Sequence, residues 1–271
     1  MIDLHAHILF GLDDGAKTEE ETLEMLQIAE KEGITTMAAT PHYIHGANAY
    51  DAAAYQQQLE ETRQLIKDHH LSIQLLSGNE IYLDEYSCQS LKEGLAHPIN
   101  DSNYILVEFS MLAIPEGAEN YIDGLRHKGY TPIIAHPERY PEVQEDPWNL
   151  RPFLQQGCLL QLNSHSITGL FGRKVQKTAA QLINSQMAHL VASDSHSSRN
   201  RAPRMKEAFH QISKQTNRQT AQKLFMNNPK AIINNQPVNN SNPVENINSA
   251  GNAAETEGVW TQIRRLASTG S

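Results

Sequence analysis

Short apolar runs alternate with longer stretches of helical periodicity from Ile2 to about Leu190, the pattern of a parallel α/β sheet or barrel. The runs predict about seven strands, over residues 2–5, 35–39, 72–77, 104–109, 131–135, 158–162 and 189–192. Between the first two, Thr18 and Glu21 stand in capping-box register ahead of apolar residues at helical spacing, and Gly33 stops the helix. Further helices are predicted over about 51–68, 118–128, 147–156, 173–186, 203–214 and 218–228. Each strand–helix unit is short enough for the right-handed crossovers that build a barrel.

The pattern changes after Asn234. Residues 235–252 are rich in Asn, Ser, Pro and Gly and bury too little apolar area to offset the cost of ordering, so a flexible linker is expected. Beyond it Val259, Trp260, Ile263 and Leu266 recur at helical spacing beside Arg264 and Arg265. That spacing is compatible with a short terminal helix that docks a partner; otherwise the segment reads as a disordered tail with one aromatic. Two units are therefore expected, a barrel over 1–234 and an Asn-rich tail over 235–271.

Composition narrows the function. A chain of 271 residues with 39% hydrophobic content is long enough for one large α/β domain with a substantial core. Its net charge of −9 and pI near 5.8 argue against general nucleic-acid binding, which needs a basic surface. An anionic substrate stays open, because a local cluster of arginines or metal ions dominates the field inside one cleft. Cys88 and Cys158 are too few for a disulfide framework. No apolar window is long enough to span a membrane, and no signal peptide is read at the N-terminus, so a soluble cytoplasmic protein without membrane insertion is expected.

The chemistry lies at the strand ends. His5 and His7 are two apart at the end of the first strand, where alternation turns both imidazoles to one side, with Asp3 placed to help fix the site. Asp13 and Asp14 follow in the next loop. Later strand ends carry Thr40-Pro41-His42, Gly78-Asn79-Glu80, Val107-Glu108-Phe109, Ala135-His136-Pro137-Glu138-Arg139 and Ser193-Asp194-Ser195-His196. Barrels of this kind assemble their active sites on the C-terminal face from several strand ends. Candidate metal ligands are His5, His7, Asp14, His42, Glu80, Glu108, His136, Asp194 and His196. Nitrogen and oxygen donors suit Zn, Mn or Fe, and their number suits more than one ion. Three divalent ions would overcompensate the carboxylates of Asp14, Glu80, Glu108 and Asp194 and leave a pocket that favours phosphate. Arg139 and Arg201 can each bind two phosphoryl oxygens through a planar guanidinium. Arg199 is a weaker candidate, and His165 falls near the rim, within reach of a substrate.

Together these segments resemble the polymerase and histidinol phosphatase (PHP) superfamily, and most closely its bacterial metal-dependent protein-tyrosine phosphatases of capsule and exopolysaccharide synthesis. The carrying motifs are the Asp-x-His-x-His start, Thr40-Pro41-His42, Gly78-Asn79-Glu80-Ile81-Tyr82, Leu106-Val107-Glu108-Phe109-Ser110, Ala135-His136-Pro137-Glu138-Arg139-Tyr140 and Ser193-Asp194-Ser195-His196. The resemblance runs to about Asn234 and does not cover the tail. It implies a distorted TIM-like (β/α)7 barrel holding three divalent ions, typically Mn2+. It also implies one ion on His5, His7, Glu80 and Asp194, a second reached by bridging Glu80 and held by Glu108 and His136, and a third on Asp14, His42 and His196. Arg139 and Arg201 match the phosphate-holding arginines. The implied substrate is phosphotyrosine on a bacterial tyrosine kinase of the polysaccharide machinery.

Residue chemistry agrees with a metal-based route. Cysteine phosphatases need an Arg six positions after the nucleophile, but Gly94 follows Cys88 and Ser164 follows Cys158 at that spacing. A tyrosyl leaving group has a pKa of about 10 and demands little protonation, which His42 could supply. Two other readings remain: a small-molecule phosphoesterase such as a histidinol-phosphate phosphatase, and a catalytically silent metal-binding regulator that recruits a partner through the tail.

Overall fold

The computed structural model describes residues 1–46 and 51–238. Each expected strand forms, and two short strands not expected, β3 and β5, follow the second and third: β1 (Ile2–Ala6), β2 (Thr36–Ala39), β3 (His42–Tyr43), β4 (Gln74–Leu76), β5 (Glu80–Tyr82), β6 (Tyr104–Glu108), β7 (Thr131–Ala135), β8 (Leu159–Asn163) and β9 (Leu190–Ala192). All pairings are parallel, in the orders β1-β2-β4 and β3-β5-β6-β7-β8-β9. A parallel bridge between Ala6 and Ser195 joins β1 to the segment after β9. The strands thus follow one another in chain order around a distorted (β/α)7 barrel.

The distortion has a local cause. β2 and β3 are parts of one strand separated by Thr40-Pro41, and β4 and β5 are parts of the next, separated by Ser77-Gly78-Asn79. Pro41 has no N–H to give to a ladder. Its carbonyl instead accepts from the Glu80 N–H at 3.2 Å and from the Asn79 side chain at 3.0 Å, and pairing resumes with His42 opposite Glu80.

The barrel interior is filled from nearly every strand, by Leu4, Ala38, Leu76, Tyr104, Leu106, Ile133, Ala135, Leu159 and Leu190, with Ile99 and Ile232 below. Two-residue alternation carries this packed layer up to polar residues: Glu108 shares a face with Leu106, and Gln161 and Asn163 share one with Leu159. β1 departs from simple alternation. Leu4 joins the core, yet the next residue, His5, meets Gln161. Pairing shifts register between Asp3 and Ala6, where β1 advances three residues while β2 advances two, from Met37 to Ala39. The extra residue re-aims the side chains, as bulges do.

Helix ends follow the sequence in part. Thr18 caps Glu19–Glu32 by accepting from the Glu21 N–H, and Gly33 ends it at φ 81°. The Glu21 carboxylate reaches back to the N–H of Lys17 instead of that of Thr18. The helix expected over 147–156 divides into a 3-10 turn, Pro147–Leu150, and Arg151–Gln155. The one expected from 203 begins only at Lys206, after an irregular Ala202-Pro203 stretch. The one expected over 218–228 passes through a π turn, Lys223–Asn227, and continues as Asn228–Ile233.

Ordered contacts run to Val238, four residues past the boundary expected after Asn234. Asn103 donates its N–H to the Asn235 side chain, the Tyr104 hydroxyl donates to the Gln236 carbonyl at 2.8 Å, and the Val238 N–H donates to the same hydroxyl at 3.2 Å. The remainder of the expected tail, with its terminal helix, lies outside the described residues. Tyr104→Phe should remove both hydroxyl contacts and lower stability by about 1 kcal/mol, read as a drop in Tm. An unchanged Tm would show that the Asn235–Val238 segment adds nothing to the barrel.

Candidate metal centre

All nine candidate ligands meet above the barrel core. The Nε2 atoms of His5 and His7 are 3.1 Å apart, and each faces Glu80 Oε2, at 3.1 and 3.2 Å. Asp194 Oδ1 stands 3.5 Å from His5 and 3.7 Å from His7. His136 Nε2 meets the other Glu80 oxygen at 2.8 Å and Glu108 at 4.0 Å. His42 turns Nδ1 to Glu80 at 3.2 Å and Glu108 at 2.8 Å, and Nε2 to Asp14 at 3.5 Å. His196 meets Asp14 at 3.3 Å and Asp194 at 3.4 Å.

Among the described residues three groups of ligand atoms lie close enough to share an ion: His5, His7 and Glu80; His42, Glu80 and Glu108; and His7, Asp14, His42 and His196. They differ from the grouping implied by resemblance in that His42 also enters the second group and His7 the third, while Asp194 and His136, expected in the first and second, enter none of them. The donors are imidazole and carboxylate throughout, and several are buried with only one another as partners, a set that suits divalent ions.

The charges are interdependent. Burial disfavours an imidazolium at His7, but Asp13 and Glu80 hold its pKa up to about 9. Burial is likewise outweighed at His42, where Glu80, Asp14 and Glu108 push the value up to about 12. Against the opposing effect of burial, Glu80 is held well below the usual carboxylate range by His5 and His42. Asp194 is held low by His5 and Arg201 in the same way. Hydrogen bonds to His196 and His42 lower Asp14. His196 is lowered by its own burial and by His7.

Both arginines reach the centre through Asp194. Arg139 donates to its Oδ2 at 3.1 Å, and Arg201 pairs with its Oδ1 at 2.7 Å. They line, with His42, Glu80, Glu108, His136, Asp194 and His196, an open cavity of about 360 Å³ walled on its apolar side by Ile44, Tyr82, Phe109 and Met111. Arg199 lies elsewhere, beside Glu20, Glu21 and Glu24 on the surface. His165 is buried against the Ser193 carbonyl and does not line the cavity, contrary to its expected reach toward a substrate.

Several supporting residues escaped the motif pattern. Asp13, the neighbour of the candidate Asp14, receives His7 Nδ1 at 2.6 Å and the N–H groups of Gly15 and His42. Its pKa is drawn down to about 2, with burial opposed by His7. Gln161 Oε1 stands 2.8 Å from His5 Nδ1, and its amide donates to Asn163, whose own amide donates to Asp194. Such partners fix ring orientation and ligand basicity. Two polar residues spaced by two in an otherwise apolar buried strand were the available signal. Asp3 meets backbone rather than a candidate ligand's side chain: its carboxylate accepts from Ser193 N–H at 2.9 Å and His5 N–H at 3.4 Å. Gly15 has a steric task, since a methyl group there would overlap the His7 carbonyl and Cβ.

The comparisons with known proteins point one way. The family model for capsular polysaccharide synthesis, CpsB/CapC, matches residues 1–234. Tyrosine-protein phosphatase YwqE of Bacillus subtilis is 34% identical over 79% of this chain and 85% of its own length. Tyrosine-protein phosphatase CpsB of Streptococcus pneumoniae is 31% identical over 88% of this chain and 100% of its own. Among solved structures, those of YwqE and CpsB, described as unique metal-dependent tyrosine phosphatases, give a TM-score of 0.84 at 32% identity, covering 88% of this chain and 96% of that one. Histidinol phosphate phosphatase from Lactococcus lactis shares the fold alone, with a TM-score of 0.52 at 14% identity over 83% of this chain and 94% of that one.

Two outcomes follow from the centre. A nitrogen that binds an ion cannot keep its proton, so metal uptake should release protons from His5, His7 and His42, whose pKa values are raised. Mn2+ affinity should therefore rise from about pH 6 to about pH 8, with a calorimetric heat that depends on the buffer's ionisation enthalpy; a pH-independent affinity would contradict this. Gly15→Ala should lower bound metal per chain at equal protein fold, measured by elemental analysis and circular dichroism.

Proposed function

This chain belongs to the CpsB/CapC family of capsular polysaccharide synthesis, and from that premise we propose that it is a metal-dependent protein-tyrosine phosphatase. Its substrate is phosphotyrosine on a bacterial tyrosine kinase of the polysaccharide machinery, met in the cytoplasm. The observation that carries this reading is that three imidazoles, four carboxylates and two arginines line one open cavity, with the imidazoles of His5 and His7 buried directly behind Glu80. No cysteine lines that cavity. Burial pushes the Cys158 thiol up to about 12 and raises Cys88, the reverse of what a nucleophile needs.

The residues divide the work. His5, His7, Glu80 and Asp194 would hold one ion, Glu80, Glu108 and His136 a second, and Asp14, His42 and His196 a third, with Mn2+ the expected metal of the set. Such ions acidify water toward neutrality and offset phosphoryl charge. Arg139 and Arg201 grip the non-bridging phosphoryl oxygens and keep the reacting phosphorus over the cluster, stabilising the charge that develops there. Asp13 and Gln161 set the faces of His7 and His5 through hydrogen bonds at their far nitrogens. His42, 22% exposed at the cavity, can pass a proton to the leaving phenolate only from a nitrogen that no ion engages. The cavity is open to solvent, and Met111 in its lining is 38% exposed, access that suits a protein tail.

Purified protein with Mn2+ should release phosphate from a phosphotyrosine peptide, much less from a phosphoserine peptide or histidinol phosphate, and none with chelator. Absence of chelator-sensitive release from phosphotyrosine would sink the proposal, and preferential hydrolysis of histidinol phosphate would favour the small-molecule reading. His136→Ala should cut kcat by at least about a hundredfold, the upper end of what losing an outer-shell partner alone costs.

A further inference from the structure

The two arginines arrive from different strand ends, Arg139 after β7 and Arg201 after β9, and each must keep a long side chain in one place. Between them, after β8, stands an aromatic residue absent from every motif noted above. The ring of Phe171 lies 4.7 Å from the guanidinium carbon of Arg139 and 5.8 Å from that of Arg201. His165 meets the same ring nearly edge to face, at 6.4 Å and 76°.

The backbone beneath Phe171 is closed at both ends. Helix Ser164–Thr168 stops at Gly169, φ 91°, and helix Arg173–Asn184 starts after Gly172, also φ 91°. The Leu170 N–H donates to the His165 carbonyl at 2.9 Å, and the Gly172 N–H to the Gly169 carbonyl at 3.1 Å. The Gln176 side chain abuts Gly169 and donates to the Ile167 carbonyl at 2.9 Å. This Gly-Leu-Phe-Gly turn sends Leu170 outward, 50% exposed, and keeps Phe171 half-buried against the arginines.

We propose that Phe171, seated on His165, is a positioning residue that holds Arg139 and Arg201 together as one phosphate-gripping pair. The proposal rests on the phosphatase reading above. Its physical reason lies in which part of a guanidinium each neighbour uses. Asp194 takes N–H groups from both arginines, the same groups that a phosphate requires. An aromatic ring instead attracts the cation through its quadrupole and needs no N–H donor, so the hydrogen-bonding edges stay available for phosphoryl oxygens. When Asp194 serves an ion, the ring still restrains both side chains.

The test uses the full chain carrying Phe171→Ala, Phe171→Leu and Phe171→Tyr, each also in an Arg139→Ala/Arg201→Ala background. Readouts are kcat and KM on a phosphotyrosine peptide, the inhibition constant of inorganic phosphate, bound metal and Tm. Phe171→Ala should raise KM and the phosphate inhibition constant roughly five- to thirtyfold, from two cation–ring contacts, with a smaller change in kcat and unchanged metal content. Phe171→Tyr should restore both constants, whereas Phe171→Leu, which fills space without a π face, should not. In the arginine-free background the Phe171 substitutions should have no effect on either constant. Restoration by leucine would reduce the residue to packing and overturn the proposal, and that comparison stands even if the alanine variant fails to fold. Unchanged constants in Phe171→Ala, with Arg139→Ala/Arg201→Ala impaired, would overturn the proposal and leave the phosphatase reading intact. If removing both arginines changes neither hydrolysis nor phosphate inhibition, the assigned phosphate site itself fails, and the proposal with it.

Discussion

Glu80 is the carboxylate on which the charged centre depends. It is 1% exposed, and its two oxygens face four imidazoles, His5, His7 and His42 from one and His136 from the other. A carboxylate taken so far from water costs several kcal/mol unless opposite charge and hydrogen bonds compensate it. Here the compensation comes from three separate strand ends, those of β1, β3 and β7, so the barrel must close in the right register before all of it is available. The broken strands make that register. Because the ladder stops at Thr40-Pro41 and at Ser77-Asn79 and resumes beyond them, His42 comes to lie opposite Glu80. Tyr55 steadies the break by donating to the Gly78 carbonyl and accepting from the Gly78 N–H.

Two of the residues around Glu80 sit in unfavourable backbone. His136 has φ 36° and Asp194 φ 50°, left-handed values that cost a residue with a side chain about 1–3 kcal/mol each. Neighbouring hydrogen bonds hold them there. The Asp194 N–H donates to the His5 carbonyl, Asp3 takes the preceding N–H of Ser193, and the Arg139 N–H closes a turn onto the His136 carbonyl. The same turn delivers Arg139 to the cavity. Buried Glu138, raised in pKa by its burial, secures the adjoining strand by accepting the Asn163 N–H. Strain at the centre is thus maintained by backbone hydrogen bonds and by buried Asp3, and it orients the side chains that face the cavity.

Much of this was legible in the chain. The seven apolar runs placed the strands within a residue or two, because burial on both faces leaves a strand few polar positions. The convergence of the candidate ligands was legible because charged residues have no reason to end so many buried strands unless they share a task; Glu108 alone would have been read as solvated. The attachment of residues 235–238 to the barrel was not legible, because composition cannot register hydrogen bonds between Tyr104 and Gln236 or Val238, residues far apart in sequence. Asp13, Gln161 and Phe171 were missed for a related reason: each acts on a neighbour in space and belongs to no spaced motif. His165 drew attention by its place at a strand end, yet its ring turned inward.

The sequence by itself determined the order of the seven main strands, which candidate ligands stand at their ends and the absence of a cysteine route, since residue type and local period are properties of the chain. The tertiary structure alone decided which donors share an ion-sized space, with His42 reaching toward two groups and His7 toward two. It also decided that one bulge in β1 lets Leu4 enter the core while His5 reaches Gln161, and that an unremarked phenylalanine faces both arginines. These are distances between strand ends, and they acquire values only when the barrel closes.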